Sequence, residues 1–399
     1  EKGAQINIKD KGKNTPLIEA SKIGSLKIIH LLINKGADVN AENKLDETPL
    51  LLASKKKYPK VIQFLLEKGA KVNARDYYKN TPLLLACRHS DTAVVKLLLE
   101  AGAKINVKSK YENTPLIWAV VRSYTELIKL LLKYKPDLNA VDRNDNTALL
   151  RLIKKRRAKT SRILPIARLL VKNGADVNVK DKNKISALMW TLKKGHIPVT
   201  YLFLEQGADI NAEDNHGNTP LMWALKKKYF KLVYLLTEKG ANVNVKNNRG
   251  NTPFTWVLRK RNRKLINLFL TKGADVNIKD RYGNPPFYYT IKSGYISLAK
   301  LFLKKGANIN GMTRFGDTAL AWAYRKKKGD LIEWLRTKGA YRYFYYYSIL
   351  FFLSLLLIMY FAKLLTFHKI YTGSKFSKII CRILIVFFIF SSMYFISLY

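Results

Sequence analysis

Apolar residues along this chain fall into short helical runs, and each run is bracketed by the same polar words. Leu26-Lys27-Ile28-Ile29-His30-Leu31-Leu32 is typical, with apolar positions three and four apart, as one face of an α-helix requires. It stops at Gly36, where a left-handed helix cap is expected. A shorter run opens at Pro16 and continues through Leu17 and Ile18. Proline suits the first turn of a helix, because the N–H it lacks would be unpaired there, and Thr15 just before it is a natural N-cap. The segment from Gly36 to the next threonine reads as an extended turn or hairpin finger. Each tile is thus predicted to be a finger, a helix, a turn and an antiparallel helix.

The word Asn14-Thr15-Pro16-Leu17 acts as a ruler. It returns at Glu47-Thr48-Pro49-Leu50, Asn80-Thr81-Pro82-Leu83, Asn113-Thr114-Pro115-Leu116, Asn146-Thr147-Ala148-Leu149 and Ile185-Ser186-Ala187-Leu188. Further copies are Asn218-Thr219-Pro220-Leu221, Asn251-Thr252-Pro253-Phe254, Asn284-Pro285-Pro286-Phe287 and Asp317-Thr318-Ala319-Leu320. The step is 33 residues, except for 39 between Thr147 and Ser186. A fixed period of this size marks an all-α solenoid of stacked helix pairs. Ten tiles span residues 10–342, and residues 1–9 read as the remnant of an upstream tile.

A second word ends each tile, as Gly36-Ala37-Asp38-Val39-Asn40 or Gly273-Ala274-Asp275-Val276-Asn277. Thr-Pro-Leu, then an alanine (Ala20, Ala53, Ala86, Ala119), a leucine-rich run and Gly-Ala-Asp-Val-Asn together resemble the ankyrin repeat. The resemblance implies an ankyrin solenoid whose fingers and first helices line a concave partner-binding face. Two departures stand out. The histidine that the family carries after Thr-Pro-Leu is replaced throughout, by Ile18, Leu51, Leu84, Ile117, Leu150, Met189, Met222, Thr255, Tyr288 and Ala321, so packing must substitute for its hydrogen bonds. The family's turn glycine appears as Gly217, Gly250, Gly283 and Gly316, whereas earlier tiles carry Lys13, Asp46, Lys79, Glu112, Asp145 and Lys184. A left-handed backbone there costs a non-glycine residue on the order of 1 kcal/mol, which predicts looser early fingers.

The longer step predicts six extra residues between the helices of the fifth tile, around Lys154 to Arg162. A basic knot of this kind suits a solvated loop, or a nuclear-localisation or nucleic-acid patch. Pro136, just before this tile, is read as standing in for the usual glycine.

Charge adds a candidate surface. The chain carries +44, and all 28 acidic residues precede residue 343. A field of this kind attracts polyanions, acidic proteins and anionic membranes. Four residues after the ruler threonine come Trp118, Trp190, Trp223, Trp256 and Trp322; seven and eight after it come cations. These include Arg122, Lys193, Lys194, Lys226, Lys227, Arg259, Lys260, Arg325 and Lys326. Offsets of three and four place aromatic and cations on one helix face, so stacked tiles should form two parallel ladders. Two accounts remain open. The cations close the first helices, where the macrodipole favours them by about 0.3–1 kcal/mol and Lys stems cover half-buried tryptophans. Alternatively, the ladders form an anion-binding groove.

Beyond residue 342 the composition changes. Residues 344–362 carry no charge, and about 379–398 are nearly as apolar, so both are expected to be transmembrane helices of a C-terminal anchor spanning 343–399. Tyr341, Tyr343, Tyr345, Tyr346 and Tyr347 supply an interfacial belt. Lys and Arg flanking the first span outnumber those of the loop between spans by seven to four, which favours repeats on the cytoplasmic side. Two cysteines, Cys87 and Cys381, make no disulfide framework and fit a reducing compartment.

Five scattered histidines form no metal spacing, and no phosphate loop or nucleophile grouping is present. No enzyme activity and no cofactor are therefore expected. The reading is a membrane-anchored scaffold that binds an acidic protein partner; a nucleic-acid or anionic-lipid partner is the alternative, not favoured.

Overall fold

The computed structural model describes residues 5–155 and 159–341, together with positions 356 and 360. Apart from those two isolated positions, both apolar runs of the expected membrane anchor lie outside the described residues, as do Arg156 and Arg157 of the basic insertion. Among the described residues, no helix is long and apolar enough to cross a membrane.

All twenty helices described are α-helices, and among the described residues no strand forms beyond an isolated antiparallel bridge between Lys180 and Ser186. The chain divides into two units, Glu1–Tyr229 and Phe230–Tyr399. The first holds α1 (Pro16–Ile23), α2 (Leu26–Asn34), α3 (Pro49–Lys56), α4 (Pro59–Glu67), α5 (Pro82–His89), α6 (Thr92–Glu100) and α7 (Pro115–Arg122). It continues with α8 (Thr125–Lys133), α9 (Ala148–Lys154), α10 (Thr160–Lys172), α11 (Ala187–Lys194), α12 (Ile197–Glu205) and α13 (Pro220–Lys226). The second holds α14 (Phe230–Glu238), α15 (Pro253–Arg259), α16 (Arg263–Thr271), α17 (Pro286–Lys292), α18 (Ile296–Lys304), α19 (Ala319–Arg325) and α20 (Gly329–Thr337).

Each first helix starts where the ruler word places it. Thr15 Oγ1 accepts the N–H of Ile18 at 3.3 Å, and Thr48, Thr81, Thr114, Thr147, Ser186, Thr219, Thr252 and Thr318 cap their helices in the same way. Among the first helices only α17, which follows Pro285 with no hydroxyl, lacks a side-chain cap. The substitutes for the missing histidine lie mostly in the core, with Ile18, Leu150 and Met189 fully buried. Thr255 does more than pack: its hydroxyl accepts the N–H of Thr252 at 2.9 Å and completes a capping box.

The core runs lengthwise through each unit. Leu17, Leu50, Leu83, Leu116, Leu149, Leu188 and Leu221 are buried in the first, and Phe254, Phe287 and Leu320 in the second. Each contributes about 1.5–3 kcal/mol relative to exposure. Consecutive first helices pack on one another, from α1 on α3 through α11 on α13 in the first unit and from α15 through α17 to α19 in the second. Within each unit an asparagine closing a tile ties it to the next: Asn40 accepts the N–H of Lys71 at 2.8 Å and donates to the carbonyl of Gly69 at 3.2 Å. Asn277 repeats this with Asn308 and Gly306 in the second unit.

Two readings of the fifth tile need correction. The glycine position before it is occupied by Lys135, at φ 49°, while Pro136 takes the place of the alanine that follows glycine elsewhere. The six extra residues are not all loop either. Thr160 to Ile163 extend α10 by four residues at its N-terminus, so that it runs to 13 residues where other second helices have nine. Apolar Ile163, buried at 1 % exposure, draws that extra turn into the core.

At the finger turn, Lys13, Asp46, Lys79, Glu112, Asp145 and Lys184 all adopt positive φ, between 56° and 60°. The position demands a left-handed backbone whatever residue occupies it, because the finger reverses there within four residues.

Candidate functional site

The seventh-place cations sit in the last turn of the first helices, and the tryptophans one turn earlier on the same face. Trp118, Trp190, Trp223, Trp256 and Trp322 are all half-buried. In the first unit this arrangement becomes an alternating file. Lys154 Nζ lies 4.7 Å from the centre of the Trp190 ring, and Lys193 Nζ lies 4.3 Å from it. Lys193 also stands 5.5 Å from the Trp223 ring, which Lys226 approaches at 4.8 Å. Lys194 reaches Trp190 at 5.8 Å, and Arg88 approaches Trp118 at 5.4 Å. Each such contact contributes roughly 0.5–1 kcal/mol where solvent is near. Burial and the neighbouring charges of Lys194, Lys154 and Lys226 hold the Lys193 ammonium below its ordinary pKa, against the pull of Asp181.

Asp181 anchors one end of the file. Its Oδ2 accepts hydrogen bonds from Lys154 Nζ at 2.8 Å and from Trp190 Nε1 at 2.9 Å, while Oδ1 accepts the N–H groups of Asn183 and Ile185. Burial alone would raise its pKa, but these donors more than offset it, and the carboxyl lies below its ordinary value. Lys154 also donates to Asn146 Oδ1 at 2.7 Å. Trp223 differs: its Nε1 is buried with no acceptor among the described residues.

The second unit does not reproduce the file. No cation lies over the rings of Trp256 or Trp322 among the described residues, although Arg259 is half-buried and Lys260 and Lys326 are exposed. Arg325 is engaged elsewhere, its Nη1 and Nη2 donating to Asp317 Oδ1 and Oδ2 at 2.9 and 2.7 Å. Tyr289, in the tryptophan place, donates to Asp280 Oδ2 at 2.6 Å; burial and that bond push its pKa up to about 12. Of the other sequence candidates, Arg122 and Lys227 are exposed, and the Lys227 N–H closes α13 on the carbonyls of Leu225 and Trp223.

A family model described as ankyrin repeats in three copies matches residues 2–76, 42–109, 83–181, 157–247 and 254–342. The chain belongs to the ankyrin repeat family. A similar solved structure is the ankyrin repeat domain of Bcl-3, described as a unique member of the IkappaB protein family. It shares 30% identity over 53% of this chain and 93% of that one, with a TM-score of 0.48. No curated protein matches by sequence. Ankyrin repeats mark a protein–protein interaction scaffold, and among the described residues no group of His, Cys, Asp and Glu could hold a metal ion.

Within this ankyrin array, the acids that engage the cation column escaped sequence reasoning, although the spacing carried a signal. An acid immediately before the ruler threonine meets the cation eight residues on: Glu47 pairs with Lys55 at 3.1 Å, as Asp317 does with Arg325. The aspartate five places before the threonine, as Asp181 and Asp280, recurs at the tile period and accepts a hydrogen bond from the aromatic. Both macrodipole stabilisation and anion attraction remain available to the cations left unpaired by these acids.

Proposed function

We propose that the chain is a non-enzymatic ankyrin scaffold, tethered to a membrane, that captures an acidic segment of a partner protein on the first-helix face. The observation that carries the partner reading is the file Lys154–Trp190–Lys193–Trp223–Lys226. Indole faces hold the ammonium groups in place, while Lys193 and Lys226 form no contact ion pair with an acid among the described residues, Asp181 acting on Lys193 only at longer range. Cations ordered in advance lose less entropy when a carboxylate arrives, so such a row favours anionic side chains over water. Arg325 is a poor member of the surface because Asp317 already occupies it.

The test is capture of a glutamate-rich peptide by full-length protein. Lys193→Glu with Lys226→Glu should abolish capture while leaving the helical content intact; unchanged capture returns the column to helix capping alone. If a nucleic acid binds more tightly than the peptide, with affinity falling steeply with salt, the polyanion alternative replaces the acidic-protein reading.

Membrane tethering rests on the uncharged run 344–362, the apolar run at about 379–398 and the tyrosines beside the first. The seven-to-four excess of flanking cations favours repeats on the cytoplasmic side. Carbonate extraction of native membranes should leave the protein in the pellet, and protease added to the cytoplasmic face should degrade the repeats. Release into the supernatant rejects the anchor.

A further inference from the structure

Nine of the ten fingers are closed by a side-chain acceptor at the base of the turn. Asp10 accepts the N–H groups of Gly12 and Asn14 at 2.8 and 2.7 Å, and Asp76 those of Tyr78 and Asn80 at 2.9 and 2.7 Å. Asn43, Asp142, Asp181, Asp214, Asn247 and Asp280 make the same two bonds in their own fingers. Even Thr313, with a single hydroxyl, accepts both, from Phe315 at 3.3 Å and Asp317 at 3.1 Å.

The fourth finger is the exception. Ser109 occupies the acceptor position at 6 % exposure, and its Oγ is buried without a partner. The finger itself is folded, with the Ser109 N–H on the carbonyl of Asn113 at 3.1 Å and the Glu112 N–H on that of Ser109 at 2.8 Å. The backbone N–H groups of Tyr111 and Asn113, the two donors satisfied in every other finger, have no acceptor among the described residues. The Ser109 hydroxyl is thus a buried polar group without a partner, which in a native structure needs a physical account, and the two N–H groups beside it lack the acceptor they have in the other fingers.

The surroundings specify what kind. Ser109 lines a surface cavity of about 450 Å³ together with Arg75, Lys79, Lys104 and Lys108. The one acid in the lining, Glu112, is paired with Lys108 at 3.2 Å. Positive charge therefore exceeds negative at the place where a carboxylate is missing, and backbone N–H groups of a turn are apt donors to an oxyanion.

We propose that the Ser109 finger is a phosphate-binding site. A phosphate dianion, free or carried as a monoester, supplies the acceptor oxygens that aspartate supplies in six of the other fingers. The N–H groups of Tyr111 and Asn113 donate to it, and Arg75, Lys79 and Lys104 neutralise it. The site lies on the fingers and is independent of the acidic-segment reading of the first-helix face.

The experiment is calorimetric titration of full-length protein with inorganic phosphate at constant ionic strength. Wild type is expected to show one site that Ser109→Asp removes, because the new carboxylate takes both N–H groups, as Asp76 does in the preceding finger. Ser109→Ala, which keeps those donors, should retain the site, and Lys104→Ala should weaken it about tenfold, the scale of one lost charge-assisted contact. Identical isotherms for wild type and Ser109→Asp overturn the proposal, since they assign all phosphate uptake to the general positive surface. A phosphoserine peptide provides the second arm. Tighter binding than inorganic phosphate, lost in Ser109→Asp, assigns the site to a partner-borne monoester; weaker binding assigns it to free phosphate.

Discussion

Lys154 and Asp181 lie 27 residues apart in consecutive tiles, yet Nζ of one donates to Oδ2 of the other at 2.8 Å. The Asp181 side chain is 1% exposed and the same oxygen receives Trp190 Nε1, so one carboxylate joins two tiles and orients the tryptophan of the proposed surface.

Removing that carboxylate leaves the Lys154 ammonium without its counter-ion, bonded only to Asn146, and the Trp190 indole N–H without its acceptor. Asp181→Ala is expected to lower stability by about 3 kcal/mol, the scale for breaking one side of a buried pair, as measured by urea unfolding. The donors hold the folded-state pKa below its unfolded value. The contribution is therefore complete above the unfolded carboxylate pKa of roughly 4 and is lost as pH falls through the folded one.

His196 supplies a second pH dependence, of milder onset. It is buried, with Thr160 Oγ1 3.0 Å from its Nδ1, and burial pushes its pKa below the ordinary 6.5, with Lys194 adding to the shift. The unfolded chain therefore protonates at higher pH than the folded one, and stability should decline as pH drops below about 6.5. Equivalent places in other tiles carry Tyr58, Tyr124, Tyr229 and Tyr295. His196→Tyr should flatten thermal stability between pH 7 and 5.5; an unchanged slope would show that another group controls this range.

Arg325 and Lys193 occupy the same column but differ in availability. Arg325→Ala should leave glutamate-peptide capture unchanged and cost roughly 0.5 kcal/mol, since its pair with Asp317 is largely exposed. Lys193→Ala should weaken capture severalfold. Equal losses for the two would contradict the localisation to the first unit.

The left-handed finger turns predict a stabilising change. Lys184 sits at φ 56°, where glycine has no steric penalty. Lys184→Gly is expected to gain up to about 1 kcal/mol, less the entropy glycine adds to the unfolded chain, read as a rise in melting temperature.

Much of the architecture was legible before any coordinates, for physical reasons visible in single residues. Thr15, Pro16 and Gly36 act within one turn of backbone, so their roles as cap, first-turn residue and terminator follow from local chemistry, and the structure places each as expected. The fifth tile was less legible. That Thr160 to Ile163 would join a helix rather than a loop depended on whether Ile163 found a core to enter.

By itself the sequence determined the repeat, its period, its helix boundaries and the helix face shared by Trp190 and Lys193, because all of these arise within one tile. Only the tertiary structure decided what each surface residue meets across tiles. It put Lys193 beside Trp223 and Lys154 on Asp181. Within one tile it also closed Arg325 onto Asp317 and left the Ser109 finger without its acceptor. Such pairings depend on the reach and direction of side chains after stacking, which a periodic spacing constrains but does not specify.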